Sequence, residues 1–146
     1  KVRQAVPMFD LIHSVDSKKL LDEIEKVAAK HDKVQDILLQ VNVAREASKS
    51  GMSVEEFPEV RDYAKTLPHV RVRGLMCMAP FFENPEDARP IFRVAYVLYE
   101  DMKGYFPEGD IQYLSMGMTH DFEVALQEGA NIVRVGTAIF GERVYN

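Results

Sequence analysis

The sequence predicts an α/β protein whose parallel sheet is covered by helices, and it favours part of a (β/α)8 TIM barrel. Short apolar segments alternate with amphipathic segments of helical period, which is the order of consecutive βα units. No G-x-G-x-x-G follows the first apolar segment, so the doubly wound nucleotide-binding alternative has no support. The last two strands both end in Ser, Gly and Thr residues, where barrels commonly hold phosphate. A closed barrel needs eight strands. Because the chain supplies about five βα units, we expect an incomplete barrel.

Each predicted strand is a short run of large apolar residues, many of them β-branched. The second strand is apolar almost throughout, as expected when both faces of a strand are covered. The predicted strands span residues 9–15, 37–43, 70–78, 111–115 and 131–136.

Capping signals set the boundaries of the predicted helices. Ser53-Val-Glu-Glu56 is a capping box, and Pro68 ends the helix that it opens. Asn84-Pro85 supplies an N-cap and a proline at the first helical position. Thr119 is predicted to cap the helix after the fourth strand. The predicted helices span residues 17–31, 53–67, 84–105 and 119–127, and residues 138–146 are predicted to begin one more turn.

Composition excludes several classes of function. The chain has 146 residues, 47% hydrophobic and 28% charged, as is usual for a soluble globular domain. A net charge of −5 argues against a broad surface for nucleic acid or anionic membrane. The longest apolar stretch, Leu75–Phe82, is far shorter than the roughly 20 residues of a membrane helix. The single cysteine, Cys77, excludes an internal disulfide framework and fits a reducing, cytoplasmic location.

Small and polar residues collect just after the predicted strands. In a parallel α/β fold the carboxyl ends of the strands form the active face, so these residues are candidates for a site. They are Ser14, Asp16, Asn42, Arg45, Glu46, Ser115, Gly117, Thr119, Gly136 and Thr137.

The segment Leu114-Ser-Met-Gly-Met-Thr-His-Asp121 carries the strongest local signal. A strand ends, a glycine permits a tight turn, and a helix begins, so amides and the hydroxyls of Ser115 and Thr119 can cradle an anion. Taken alone, such a segment is more often a plain βα turn with a threonine cap. A second cluster, Val135–Gly141, follows the next strand, and two neighbouring turns of this kind favour phosphate binding.

Arg134 lies in an otherwise apolar strand, where an unpaired guanidinium would be costly. Two interpretations stay open: it donates to a ligand in the barrel mouth, or it forms an ion pair with a nearby carboxylate. Glu46 and Lys49 could serve proton transfer or form a solvated pair. The histidines show no metal-ligand spacing, and Cys77 has no adjacent base that would favour a nucleophile.

Five motifs in register resemble the pyridoxal phosphate homeostasis proteins, single-domain relatives of the alanine racemase N-terminal barrel. The resemblance covers essentially the whole chain. The motifs are Phe9–Ser17, Gln40-Val-Asn-Val with Glu46–Gly51, Arg73-Gly-Leu-Met76, Leu114–Asp121 and Gly129–Gly141.

The resemblance implies that the cofactor is pyridoxal 5′-phosphate. Its phosphate would be held through amides and hydroxyls at Ser115, Met116, Thr119, Gly136 and Thr137. Arg134 would face the pyridine nitrogen and keep it unprotonated, which weakens the ring as an electron sink. In this family the lysine that forms the Schiff base lies at the end of the first barrel strand. No segment here matches that strand, so no catalytic residue is assigned, and residues 1–146 are predicted to be the C-terminal two-thirds of a single barrel domain.

The leading hypothesis is therefore a protein of intracellular vitamin B6 homeostasis that holds or delivers pyridoxal phosphate without a turnover reaction. Its partners would be the cofactor and apo-enzymes that receive it, and the full-length protein is expected to be a monomer. Two alternatives remain: a racemase-like enzyme that uses the same cofactor, and a barrel enzyme that acts on a phosphorylated metabolite.

Overall fold

The computed structural model describes residues 1–46 and 50–136 of the chain. Five strands form the sheet: β1 Leu11–Val15, β2 Gln35–Val41, β3 Val70–Cys77, β4 Tyr113–Met118 and β5 Ile132–Arg134. The helices are α1 Val2–Met8, α2 Lys18–Lys30, α3 Phe57–Ala64, α4 Arg89–Met102 and α5 Phe122–Gln127, with a 3₁₀ turn over Pro85–Ala88 before α4.

The five strands are parallel and lie in the sheet in their order along the chain. Parallel crossovers are right-handed, so a strand order without reversal puts every connecting helix on the same face of the sheet. A doubly wound sheet requires a reversal of strand order, which these strands do not contain. The arrangement is that of a barrel wall, as the sequence predicted.

The main hydrophobic core lies between the sheet and the helices. Ile37 and Leu39 of β2 pack in one cluster with Leu21 of α2 and Phe92 of α4, all of them fully buried. Leu38 and Gln40, at the alternate positions of β2, are also buried but lie outside that cluster. Strand β2 is therefore covered on both faces, as its nearly continuous apolar sequence predicted.

Two predicted capping hydrogen bonds are confirmed. The Ser53 hydroxyl accepts from the Glu56 amide at 3.0 Å. The Asn84 side chain accepts from the Glu86 amide at 3.1 Å, and the chain continues into the 3₁₀ turn and α4. A cap that was not predicted opens α2, where the Ser17 hydroxyl accepts from the Leu20 amide at 3.1 Å.

The helices predicted at 53–67 and 84–105 are shorter at both ends in the structure. Helix α3 spans Phe57–Ala64, after the turn that Ser53 caps, and α4 spans Arg89–Met102, after the 3₁₀ turn.

The predicted start of α5 at Thr119 is wrong. Strand β4 extends to Met118, because Met118 pairs with Arg134 of β5. Helix α5 begins only at Phe122, after Asp121, whose Oδ1 accepts from the Met118 amide at 2.8 Å. Helix α1 was not predicted. Its seven residues include Pro7, which in a sequence reads as a break.

Candidate functional site

A cavity of about 950 Å³ opens at the carboxyl ends of the strands, the face that the sequence predicted. Among the candidate residues, Ser14, Asp16, Asn42, Glu46 and Thr119 line it. Apolar side chains complete the wall, chiefly Met76, Met78, Phe81 and Met118. The space is large enough for a small cofactor and combines apolar side chains with several polar groups.

The two turns that the sequence singled out lie side by side. Strands β4 and β5 pair in parallel at Ser115 with Ile132 and at Met118 with Arg134. The backbone that follows β4 is therefore adjacent to the backbone that follows β5, as the hypothesis of a shared anion cradle requires. Gly136 is the last described residue of the second turn, and Thr137 lies outside the described residues.

Gly117 shapes the first of these turns. Its φ of +100° lies in the left-handed region, and a Cβ built on it would approach the Cβ of Ala125 to 2.7 Å. Only glycine permits both the conformation and the close packing of the β4 end against α5. Next to it, Met116 is fully buried in the core on the helix side, so only its backbone is available to a ligand.

Ser115 and Arg134 bond to each other near the ends of β4 and β5, and neither residue lines the cavity. The fully buried Ser115 hydroxyl accepts from Nη1 of Arg134 at 2.6 Å, and Nη2 of Arg134 donates to the Cys77 carbonyl at 3.2 Å. Within the described ranges 1–46 and 50–136, no carboxylate forms an ion pair with Arg134, so the ion-pair interpretation finds no support there. Burial lowers the pKa of this guanidinium, which nonetheless stays charged at neutral pH.

His13 completes the same network. Its Nδ1 lies 3.2 Å from the Ser115 hydroxyl oxygen, and burial followed by the charge of Arg134 lowers the pKa of its imidazole. Arginine has no acceptor, so the Ser115 proton is free to point at His13. The neutral imidazole therefore accepts from Ser115, and Ser115 accepts from Arg134.

The loop after β2 is fixed by two polar residues of the cavity. The Asn42 side chain donates to the Glu46 carbonyl at 2.7 Å and accepts from the Glu46 amide at 3.2 Å. Oδ2 of Asp16 accepts from the Gly51 amide at 3.0 Å. Glu46 is thereby held at the rim, while Lys49, its predicted partner in proton transfer, lies outside the described residues.

Sequence reasoning missed Gln40. This residue sits in the middle of β2, is only 4% exposed, and lines the cavity beside Met76, with which it pairs across the strands. The signal was present, because Gln40 is the one polar residue within the apolar run 37–41.

Metal and cysteine chemistry find no support in the part of the chain that the structure describes. No group of three or more His, Cys, Asp or Glu residues there could hold a metal ion. Cys77 is fully buried, and this burial raises the pKa of its thiol to about 12, which argues against a nucleophile. Among the described helices, none is long and apolar enough to cross a membrane.

The family model for the alanine racemase N-terminal domain matches residues 1–144. The chain belongs to this family. As a member of the alanine racemase N-terminal domain family, it has the incomplete barrel that the sequence predicted, and the strand order described above is the corresponding part of that barrel.

Two relatives within this family are informative. The pyridoxal phosphate homeostasis protein of Aquifex aeolicus is 48% identical over 145 residues, which are 99% of this chain and 63% of that protein. The structure of PipY from Synechococcus elongatus with pyridoxal phosphate bound has a TM-score of 0.79 and 32% identity, covering 97% of this chain and 65% of PipY. The chain thus spans somewhat less than two thirds of the length of each of these two relatives.

Proposed function

We propose that this chain forms part of a pyridoxal 5′-phosphate-binding barrel whose protein holds or delivers the cofactor in intracellular vitamin B6 homeostasis, without turnover of its own. The observation that carries the proposal is the likeness over 97% of the chain to PipY, a protein whose structure contains the cofactor. The relative from Aquifex aeolicus, named a pyridoxal phosphate homeostasis protein, supports the same role.

The described residues fit this cofactor. Arg134 brings a positive charge, without a carboxylate partner in the described ranges, to the end of β5. Two carboxylates that line the cavity are engaged, since Asp16 accepts from Gly51 and Asp121 accepts from Met118. Their charge remains, but these hydrogen bonds direct one oxygen of each to the backbone rather than to a ligand.

In this proposal Ser115, Met116, Thr119, Gly136 and Thr137 hold the phosphate, and Arg134 faces the pyridine nitrogen. Pyridoxal phosphate supplies an aldehyde that reacts with amines and a ring that withdraws electrons from them. A guanidinium cannot accept a proton, so Arg134 keeps the nitrogen unprotonated and limits that withdrawal. A ring that withdraws electrons less strongly suits storage of the cofactor and its delivery to apo-enzymes in the cytoplasm better than varied amino-acid chemistry.

Substitution of Arg134 tests the proposal. We expect the purified protein to bind pyridoxal phosphate, measured by absorbance titration, and Arg134→Ala to weaken that binding roughly ten- to a hundredfold, the value of a charged hydrogen bond. Arg134→Lys keeps the charge but loses the planar fork, so its affinity should be intermediate. Arg93→Ala is the matched control, since Arg93 is an exposed arginine of α4 that pairs with Glu128.

The alternatives predict other outcomes. Binding of inorganic phosphate without binding of pyridoxal phosphate favours a barrel enzyme for a phosphorylated metabolite. Racemisation of alanine by the loaded protein favours the racemase-like enzyme. If Arg134→Ala binds pyridoxal phosphate as tightly as Arg93→Ala does, the role of Arg134 is refuted.

A further inference from the structure

Gln40 differs from the other polar residues of the cavity. The residue is only 4% exposed at the centre of β2, and its side chain forms no hydrogen bond with any residue in the described ranges. Asp16, Asn42 and Asp121 line the same cavity, and each has a hydrogen-bonded side chain.

The Gln40 amide is therefore placed as a ligand-binding group. Among the described residues, the amide atoms of Gln40 are not sealed from solvent in the way that Oε1 of Gln35 is, so they open to the cavity. The amide of Gln40 borders the cavity, so a polar atom of a bound ligand can supply the partner that the protein does not. An amide both donates and accepts, which matches a hydroxyl or a carbonyl oxygen.

The position of Gln40 in the sheet indicates which part of a ligand it meets. Strand β2 is separated from β4 by β3, so Gln40 lies roughly 10 Å across the sheet from the β4 end, at about 4.8 Å per strand. A phosphate held at the turns after β4 and β5 is out of reach of Gln40. The opposite edge of the attached ring is nearer to it.

We propose that Gln40 binds an oxygen substituent on the ring of the cofactor, either the hydroxyl or the formyl oxygen, while the turns after β4 and β5 hold the phosphate. This inference rests on the proposed function, because it takes pyridoxal phosphate as the occupant. In this inference, β2 recognises the ring of the cofactor, and the turns after β4 and β5 recognise its phosphate.

The substitution Gln40→Met removes the amide at nearly constant volume. We expect the melting temperature of the unliganded protein to change little, because the Gln40 amide faces the cavity and has no protein partner to lose among the described residues. The affinity for pyridoxal phosphate should fall about tenfold, because the hydrogen bond to the ligand is lost. Binding of inorganic phosphate, measured by competition, stays unchanged. Gln40→Leu repeats the test with a branched side chain.

Gln35→Met is the matched control on the same strand. Gln35 is also fully buried, and its amide serves the protein rather than the cavity. Its Nε2 donates to the carbonyls of Phe9, Asp10 and Asp36 at 2.9–3.3 Å, while its Oε1 is buried without a partner in the described residues. This variant should lower the melting temperature and leave the affinity for pyridoxal phosphate unchanged. If it does not fold, Gln112→Met serves instead, at an exposed position.

Several results would overturn the inference. A Gln40→Met protein with a lower melting temperature and unchanged affinity shows that Gln40 is structural. An equal loss of phosphate binding shows that Gln40 meets the phosphate and not the ring. If the unsubstituted protein does not bind pyridoxal phosphate at all, the proposed function fails and this inference fails with it. Unchanged affinity in Gln40→Met alone refutes only the inference.

Discussion

The Ser115 hydroxyl links the guanidinium of Arg134, which is always charged, to the neutral imidazole of His13. Arg134 donates to this hydroxyl, and the hydroxyl proton is left for His13. Protonation of His13 would turn the imidazole into a second donor, and two cations would then face the same oxygen. The fold thus favours neutral His13, and with it a fixed direction for the Arg134 guanidinium.

A pH dependence follows from His13. Burial and Arg134 lower its pKa, so the unfolded chain takes up a proton at a pH where the native protein does not. The free energy of unfolding should therefore decrease as the pH falls below the ordinary histidine pKa of about 6.5, and the decrease should end below the folded pKa. Urea denaturation between about pH 7.5 and pH 5 should show a smaller decrease in His13→Asn, whose Oδ1 can still accept from Ser115.

His31→Asn is the control for this measurement, since His31 is exposed at the end of α2. A decrease that is identical in His13→Asn and in the unsubstituted protein would contradict the role assigned to His13.

For single residues, the sequence indicated which side chains are unusual for their position, but not which partners those side chains contact. It identified Arg134 as a cation within an apolar strand, but two interpretations of its partner remained open. It could not assign a partner to His13, because the partner Ser115 lies 102 positions away. Gln40 was visible as a polar residue in an apolar strand, yet only the folded sheet shows that the barrel side of β2 borders a cavity.

Among the elements, the turn from β4 to α5 depends on glycine. Gly117→Ala must adopt a positive φ and also displace Ala125, so we expect a loss of about 2–4 kcal/mol in unfolding free energy. Gly109→Ala separates the two effects, because Gly109 has a φ of +88° and no atom within 4 Å of the position that an added methyl group would take. That variant should lose only about 1 kcal/mol. Equal losses, measured by urea denaturation, would show that the contact with Ala125 is unimportant.

The elements with local capping signals could be predicted, and those set by tertiary contacts could not. Ser53 and Asn84 accept hydrogen bonds from amides only three and two residues away. Strand β4 instead continues past its predicted end because β5 pairs with it, which shifts the start of α5 from Thr119 to Phe122. Pairing between distant segments leaves no local trace in the sequence.

For the molecule as a whole, the two ends of the sheet have different roles. The carboxyl end opens into the cavity, whereas the amino end is closed by an ionic cluster. There Asp36 accepts from Arg71 at 2.9 and 3.1 Å and from Arg73 at 3.0 Å, and Arg73 also donates to the Asp110 carbonyl at 2.8 Å. The cluster ties β2 to β3 and to the segment before β4, at the end of the sheet away from the cavity.

Ligand binding should therefore protect one end of the sheet only. With pyridoxal phosphate at about 100 times its Kd, the native state gains roughly 2.7 kcal/mol. Amide hydrogen exchange followed by mass spectrometry should slow at residues 40–46 and 115–121, and much less at residues 68–73 and 108–113. Uniform protection of both ends would indicate global stabilisation without a local site, and protection of the amino end alone would contradict the proposed position.

The strand order of the whole molecule was within reach of the sequence, because apolar and amphipathic segments alternate so regularly. The ligand was not, since strand-end hydroxyls and glycines suit any phosphate. Only the motifs shared with the pyridoxal phosphate homeostasis proteins indicated that the phosphate belongs to pyridoxal phosphate.

The thiol of Cys77 can report how often the helices separate from the sheet. This thiol is buried in the core with a pKa raised to about 12, while the carbonyl of Cys77 accepts from Arg134 at the end of β3. A thiol-reactive dye can label it only when the layer between helices and sheet separates. Because it is the single cysteine, the labelling rate measures how often that layer opens beneath the Arg134 contact.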